Sequence, residues 1–225
     1  MDVGLKAPSV LSRIFRSAAL SAALAVTVSA CGVGDEDAGV RAGEVCGRFA
    51  HTPAVASALA KLAGTERFNE DLSEPTEAVA TLRAADGKFS GHDDLVDVPE
   101  CLLRAPEGGD PLVTLYFREA LVVLKPQPEY FKDYTYYRTG ASAASLHRVV
   151  SIYFRCRMTK PKKSLIVNAR LERESKVKLS GKSEVDAQML VANTAALKMA
   201  RQLGCQGTDL SQSPPQAISG LYGPH

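Results

Sequence analysis

Motifs typical of a catalytic protein are largely missing from this 225-residue chain. No G-x-S-x-G sequence occurs, so the nucleophile elbow of one large hydrolase class is absent. The stretch LSGKS, residues 179–183, ends like a phosphate-binding loop, but Lys176 stands where that motif needs its first glycine. We therefore predict a turn that leads into a capped helix rather than a nucleotide site.

Histidine is scarce, with four residues in the whole chain. His92 stands beside Asp93 and Asp94, a combination that a metal site or an acid–base site could use. No second histidine lies at ligand spacing, and a polar turn uses the same residue types. We predict a turn here, with no metal and no cofactor.

A hydrophobic run long enough to span a membrane is absent from the N-terminus. Residues 17–30 are apolar or small and uncharged, which is about fourteen residues where a membrane-spanning helix needs about twenty. Lys6, Arg13 and Arg16 precede the run. A basic region followed by a short apolar region is typical of an export signal, so residues 1–30 are predicted to be a signal peptide.

The end of this signal resembles the lipobox of bacterial lipoproteins. Val28, Ser29 and Ala30 supply the aliphatic and small residues that precede the modified cysteine, which is here Cys31. The resemblance implies that Cys31 carries a diacylglyceryl thioether and, with its fatty acyl chains such as palmitate, anchors the protein in the membrane. Two chains give stable anchoring. Ordinary signal cleavage after Ala30 is the alternative.

Cysteine parity favours the lipidated form. The chain has five cysteines, an odd number for an exported protein, and acylation of Cys31 leaves four that can form two disulfides. Those four are Cys46, Cys101, Cys156 and Cys205. A Cys156–Cys205 bridge would pin the last helix to a strand, and Cys46–Cys101 would tie the N-terminal helical segment to the sheet. Four cysteines allow three pairings, and the sequence leaves the choice open.

Net charge excludes one class of partner. Residues 1–30 hold three of the 27 basic and one of the 25 acidic residues, so the remaining chain is formally neutral. A nucleic-acid-binding protein would show a basic field. We predict that the partners are the membrane, through the lipid anchor, and an unidentified envelope ligand or protein, and that nucleic acid is not a partner.

The order of predicted elements indicates one α+β domain. Residues 31–45 are glycine-rich and charged and are predicted to form a flexible tether. Helices are expected at 53–63 and 75–85, strands at 111–124, 129–137, 147–158 and 164–174, and a helix that begins at an N-cap Ser183. The domain should span 46–205, followed by a disordered tail at 206–225. Its fold should be an antiparallel sheet of about four strands with helices on one face.

The strand at 164–174 predicts which side chains face the core. Leu165, Val167, Ala169 and Leu171 share one face, while Asn168, Arg170 and Glu172 point the opposite way. Such alternation is typical of a sheet with one buried and one wetter face.

Two features of the strand region could belong to a binding surface. Tyr130, Tyr134 and Tyr136 fall on one face of an extended chain, where they could bind a partner or pack against the sheet. A basic cluster could touch anionic headgroups or cell-wall polymers, although a solvated hairpin loop is the preferred interpretation. That cluster consists of Arg155, Arg157, Lys160, Lys162 and Lys163.

The function expected from these features is that of a lipid-anchored protein on the extracytoplasmic face of the cell membrane. It should act as a non-catalytic binding or structural module of the envelope. The alternative is an envelope-associated hydrolase with a site around His92, Asp93 and Asp94. The signal, anchor and cysteine frame together resemble secreted lipoproteins of high-GC actinobacteria, and this resemblance implies no activity.

Overall fold

A computed structural model describes residues 39–71, 77–85, 97–123 and 133–218, all within one compact unit. Residues 1–38, including Cys31, lie outside the described residues, as do Tyr130 and the His92-Asp93-Asp94 segment. The described elements, in chain order, are β1 (Val40–Arg41), α1 (Val45–Arg48), α2 (Pro53–Ala63), β2 (Arg67–Asp71), α3 (Glu77–Ala84), β3 (Val98–Ala105), β4 (Gly108–Ala120), β5 (Thr135–Tyr136), β6 (Ser142–Leu146), β7 (Val149–Thr159), β8 (Lys162–Arg173) and α4 (Lys182–Leu203).

The strands form one antiparallel sheet in the order β1-β2-β3-β4-β8-β7-β6-β5. The α+β class with an antiparallel sheet is confirmed. The expected number of about four strands is wrong, because the sheet has eight. The missed strands have weak local signals: β2 reads RFNED and is mostly polar, β3 contains Pro99, and β6 is made of small residues. Their pairing partners, rather than their own sequences, place them in the sheet.

The β7–β8 hairpin supplies the centre of the core, as the alternation predicts. Leu165, Val167, Ala169 and Leu171 of β8 are all buried against the helices. Asn168, Arg170 and Glu172 point to the opposite face, which we call the outer face. The inner face of the sheet and the helices therefore enclose one hydrophobic core.

The N-cap of helix α4 lies two residues before the predicted N-cap, Ser183. Gly181, with φ 74°, is the N-cap residue, and the helix starts at Lys182. A positive φ costs glycine little, which explains why the chain turns here. Ser183 makes no capping bond. Its hydroxyl instead accepts a hydrogen bond from Lys61 Nζ of α2 at 3.2 Å. The predicted cap thus serves as a contact between two helices.

Both disulfides that the element order suggested are present. Cys46 of α1 is bonded to Cys101 of β3, and Cys156 of β7 is bonded to Cys205, two residues past the end of α4. All the described cysteines are therefore paired, and the bridges span 55 and 49 residues of sequence. Each bridge joins the helical layer to the sheet.

The folded region extends beyond both predicted boundaries. The predicted tether overlaps β1, which pairs with β2, and Ala42 and Val45 are buried. At the other end, residues 206–218 lie against the sheet rather than forming a disordered tail. Gln206 N donates to Arg157 O at 3.0 Å, and Leu210 is part of the core. Tertiary contacts order these polar segments, which composition alone does not reveal.

Within the part of the chain that the structure describes, no helix is long and apolar enough to cross a membrane.

Candidate functional site

The outer face of the sheet carries an unusual concentration of polar and aromatic side chains. In the register of β4 and β8, Tyr116 lies opposite Arg170, and Arg118 lies opposite Asn168. On the other side of β8, Asn168 lies opposite Tyr153 of β7. Directly opposed residues on one face have Cβ atoms about 5 Å apart, so these five side chains are immediate neighbours.

Asp97, just before β3, binds both arginines of this group. Its Oδ2 accepts a hydrogen bond from Arg170 Nη2 at 2.6 Å, and its Oδ1 lies 3.5 Å from Arg118 Nε. Glu172 Oε1 lies 3.4 Å from Arg170 Nη1. We call Asp97, Arg118, Arg170 and Glu172 the charged cluster. It contains two positive and two negative side chains and is therefore neutral.

The charged side chains are reachable from solvent. The exposed fraction is 24% for Asp97, 30% for Arg118 and 27% for Arg170. The Arg170 guanidinium lies over the Tyr116 ring, 4.9 Å from its centroid, which fixes the guanidinium plane by a cation–π contact. The cluster is consequently held in place while one side of it remains accessible.

Part of the charged cluster is closed off from solvent. Asp97 Oδ1, Arg118 Nε and Arg170 Nε are buried, although each of these side chains is partly exposed. Asp97 Oδ1 and Arg118 Nε face each other at 3.5 Å. Only the exposed parts of these side chains can therefore contact a ligand.

Asn168, about 1% exposed, forms the deepest part of this surface, whereas the equally buried Thr114 lies opposite Glu172, further along β8. Asn168 Nδ2 donates to Ile152 O at 3.4 Å, which directs its Oδ1 away from that carbonyl. The amide orientation is therefore set by the backbone of β7, because a flipped amide would place two oxygens together.

Tyr153 borders the deep part and is itself buried. Burial raises the pKa of its hydroxyl, and the contact with Arg118 offsets only part of this increase. The hydroxyl is accordingly neutral at physiological pH and can donate a hydrogen bond.

Of the three tyrosines predicted to share a face, Tyr130 lies outside the described residues, and Tyr136 lies at one end of the outer face. Tyr136 of β5 lies opposite Ala144 of β6, in the cross-strand row that continues through Ser151 to Arg170. The rings of Tyr134 and Tyr136 are stacked with centroids 6.0 Å apart. Sequence reasoning placed Arg170 and Asn168 on the wetter face but overlooked Asp97, Tyr116 and Arg118. The alternation in β4 would have placed the last two there.

Within the described part of the chain, no group of three or more His, Cys, Asp or Glu side chains could hold a metal ion. All the described cysteines are in disulfides.

The basic cluster at 155–163 surrounds the turn of the β7–β8 hairpin. Lys163 Nζ donates to the carbonyl oxygens of Arg83 and Ala85, so this lysine holds the end of α3. Arg155 and Arg157 point away from the core and are exposed. The hairpin interpretation of this segment is confirmed.

Away from the outer face, a groove of about 840 Å³ lies between α2 and the edge strands. Ala56 and Ala60 are among its lining residues, and Arg41, Lys61 and Arg67 are its basic side chains.

Comparison with family models, with curated proteins and with solved structures finds no match to this chain. The residues of the outer face are therefore what indicates a function for this chain.

Proposed function

We propose that this chain is a lipid-anchored binding protein of the cell envelope and that the outer face of its sheet is the binding surface. The observation that carries the proposal is the partly exposed charged cluster, in which Asp97 joins Arg118 and Arg170 and the Arg170 guanidinium lies over the Tyr116 ring. Asn168 and Tyr153 lie beside these groups and are held by strand pairing. Such a preorganised polar surface suits binding more than fold stabilisation.

The cysteine pairs support the proposed location. Two disulfides use all four described cysteines, which leaves Cys31 as the odd one, as the lipidated form requires. Disulfides also persist mainly in oxidising compartments outside the cytoplasm. Both observations agree with export and with an acylated Cys31 on the extracytoplasmic side of the membrane.

The anchor is tested by metabolic labelling with a fatty-acid analogue. We expect the wild-type chain to be labelled and to fractionate with membranes, and Cys31→Ala to lose the label. An unlabelled wild-type chain would contradict the anchor while leaving the binding surface untouched.

The binding surface is tested by co-sedimentation of the full-length protein, in detergent, with purified cell-wall material. The wild type should pellet in a saturable way, and Arg118→Ala with Arg170→Ala should abolish pelleting. Arg201→Ala is the matched control, because Arg201 is an exposed arginine of α4, in the helical layer on the other side of the sheet. Equal pelleting of the double variant and the control would show that the outer face is not the binding surface.

A further inference from the structure

The turn of the β7–β8 hairpin carries a compact group of exposed basic side chains. Arg155, Arg157, Lys160 and Lys162 are all exposed. No acidic residue occurs in the sequence from Arg155 to Arg170, so nothing within this stretch neutralises them. Exposed charges of one sign that lie close together produce a local potential that attracts the opposite sign. This end of the sheet should therefore attract anions.

The exposed apolar side chains of the described residues lie beside this basic group. Leu121 and Val122 are the only exposed large hydrophobic residues among them, with 37% and 64% of their surface accessible. They follow Ala120 of β4, which lies opposite Ile166 of β8, and Ile166 lies opposite Arg155 of β7. Neighbouring strands are about 4.8 Å apart, so Ala120 and Arg155 are separated by about 10 Å. We call the four basic residues together with Leu121 and Val122 the hairpin patch.

The combination of basic and apolar side chains suits the surface of an anionic bilayer. Lysine and arginine attract the anionic headgroups, while apolar side chains enter the boundary between headgroups and acyl chains. A soluble anionic polymer would use the basic side chains alone and gain nothing from Leu121 and Val122. The apolar pair therefore favours a bilayer over a polymer.

The opposite end of the same two strands lacks this combination. Arg148, Lys176 and Lys178 are exposed there, but so is the acidic Glu174. None of the described residues at that end is an exposed large hydrophobic residue. That end therefore provides basic residues for a matched control.

We infer that the hairpin patch is a second membrane-contact surface, which binds anionic phospholipid headgroups and orients the domain on the bilayer. The inference rests on the proposed function only in that the lipid anchor keeps the domain close to the membrane. Because the anchor makes the second contact intramolecular, the patch can act even if its own affinity for lipid is weak.

The absence of tryptophan from the chain provides a sharp test, because one introduced tryptophan reports only on its own surroundings. Val122→Trp places this reporter in the hairpin patch, and Glu174→Trp places it at the other end of β8 as a control. Each full-length variant is reconstituted into vesicles of phosphatidylcholine, with or without about one third of anionic phosphatidylglycerol. In the anionic vesicles alone, the Val122→Trp fluorescence should shift to the blue and be quenched by brominated lipid. The Glu174→Trp fluorescence should stay unchanged in both.

Two triple variants with the same change in net charge, both made with Val122→Trp, test the role of the basic residues. The first removes three charges of the hairpin patch: Arg155→Ala, Lys160→Ala and Lys162→Ala. The second removes three charges at the other end of the strands: Arg148→Ala, Lys176→Ala and Lys178→Ala. The first should lose the blue shift and the quenching, and the second should keep both. High salt should also reduce the blue shift, because it screens exposed charges. Thermal unfolding shows whether each variant is folded.

Three results would overturn the inference. One is the same Val122→Trp fluorescence in both kinds of vesicle, and another is equal quenching in the two triple variants. The third is a blue shift with soluble polyphosphate but not with anionic vesicles, which would assign the hairpin patch to an anionic polymer. Failure of the protein to float with pure phosphatidylcholine vesicles would contradict the proposed anchor, while the response to phosphatidylglycerol would still decide on the patch.

Discussion

Arg173 of β8 donates a hydrogen bond to Glu184 of α4, with Nη2 2.5 Å from Oε1, and both side chains are buried. Arg173 Nη1 also donates to the carbonyl oxygens of Ser175 and Val177, at 3.2 and 3.0 Å. The Ser175 hydroxyl in turn donates to Leu62 O of α2 at 2.6 Å. This one ion pair and its neighbours thus connect the sheet with two helices.

Breaking that pair from one side should destabilise the protein strongly. Arg173→Met leaves the Glu184 carboxylate buried without its cation, and we expect a loss of about 3–5 kcal/mol in the free energy of unfolding. The double variant Arg173→Met with Glu184→Leu should recover part of that loss, because no uncompensated charge remains. Urea unfolding measures both.

Lys182→Met is the control for this prediction. It breaks the ion pair with Asp186, in which Lys182 is 64% exposed, so the loss should be below about 1 kcal/mol. A single Arg173 variant as stable as this control would show that the buried pair does not hold the sheet to the helices.

Removing the Cys156–Cys205 disulfide should lower stability through the unfolded state. The bridge spans 49 residues, and the chain-entropy treatment assigns about 4 kcal/mol to a loop of that length. We expect the double variant Cys156→Ala with Cys205→Ala to lose about that amount in urea unfolding. When a reductant is added, the free energy of unfolding of the wild type should fall towards that of the variant. Any difference that remains should be no larger than the contribution of the Cys46–Cys101 bridge.

The Glu100 carboxyl should make stability fall as pH rises in the acidic range. Its burial raises its pKa above the ordinary 4.5, and Lys198, whose Nζ is 3.7 Å from Oε1, offsets only part of this. Between 4.5 and the raised value the folded state binds more protons than the unfolded state. Stability is therefore lost with increasing pH across that interval.

The check is urea unfolding of the wild type and Glu100→Gln at several pH values from 4 to 7. The variant cannot titrate at this position. The free energy of unfolding of the wild type, measured relative to that of the variant, should therefore fall as pH rises. If the free energy of unfolding of the wild type relative to the variant stays constant or increases with pH, the raised pKa of Glu100 is contradicted.

The charged cluster of the outer face should contribute little to stability. Arg170 is 27% exposed, so its ion pairs with Asp97 and Glu172 are partly screened by solvent. We expect Arg170→Ala to change the free energy of unfolding by about 1 kcal/mol or less. A loss as large as that of Arg173→Met would indicate a structural role for the cluster instead of a binding role.

Local sequence patterns predicted the strongly periodic elements well. The alternation in β7 and β8 identified both strands and their buried faces, and Pro53 with Gly64 marked the ends of α2. Because their periodicity is weak, β2, β3 and β6 depend on partners far away in the chain. The folded segments at 40–45 and 206–218 were missed for the same reason, since long-range contacts fix them.

The candidate site was only partly visible in the sequence. Alternation in β8 placed Asn168 and Arg170 on the wetter face, but nothing local shows that Asp97 binds Arg170 across 73 residues of sequence. The register that places Arg118 opposite Asn168 is likewise a property of strand pairing. Binding surfaces on a sheet are assembled from several strands, so one strand at a time reveals only fragments of them.

Backbone NMR of the isotope-labelled protein during titration with solubilised cell-wall material shows whether the outer face binds the envelope ligand. We expect saturable shift changes concentrated at Tyr116, Arg118, Asn168 and Arg170. The α2 groove around Ala56 and Lys61 should remain unchanged. Shift changes confined to that groove, or no saturable changes at the outer face, would contradict binding at the outer face.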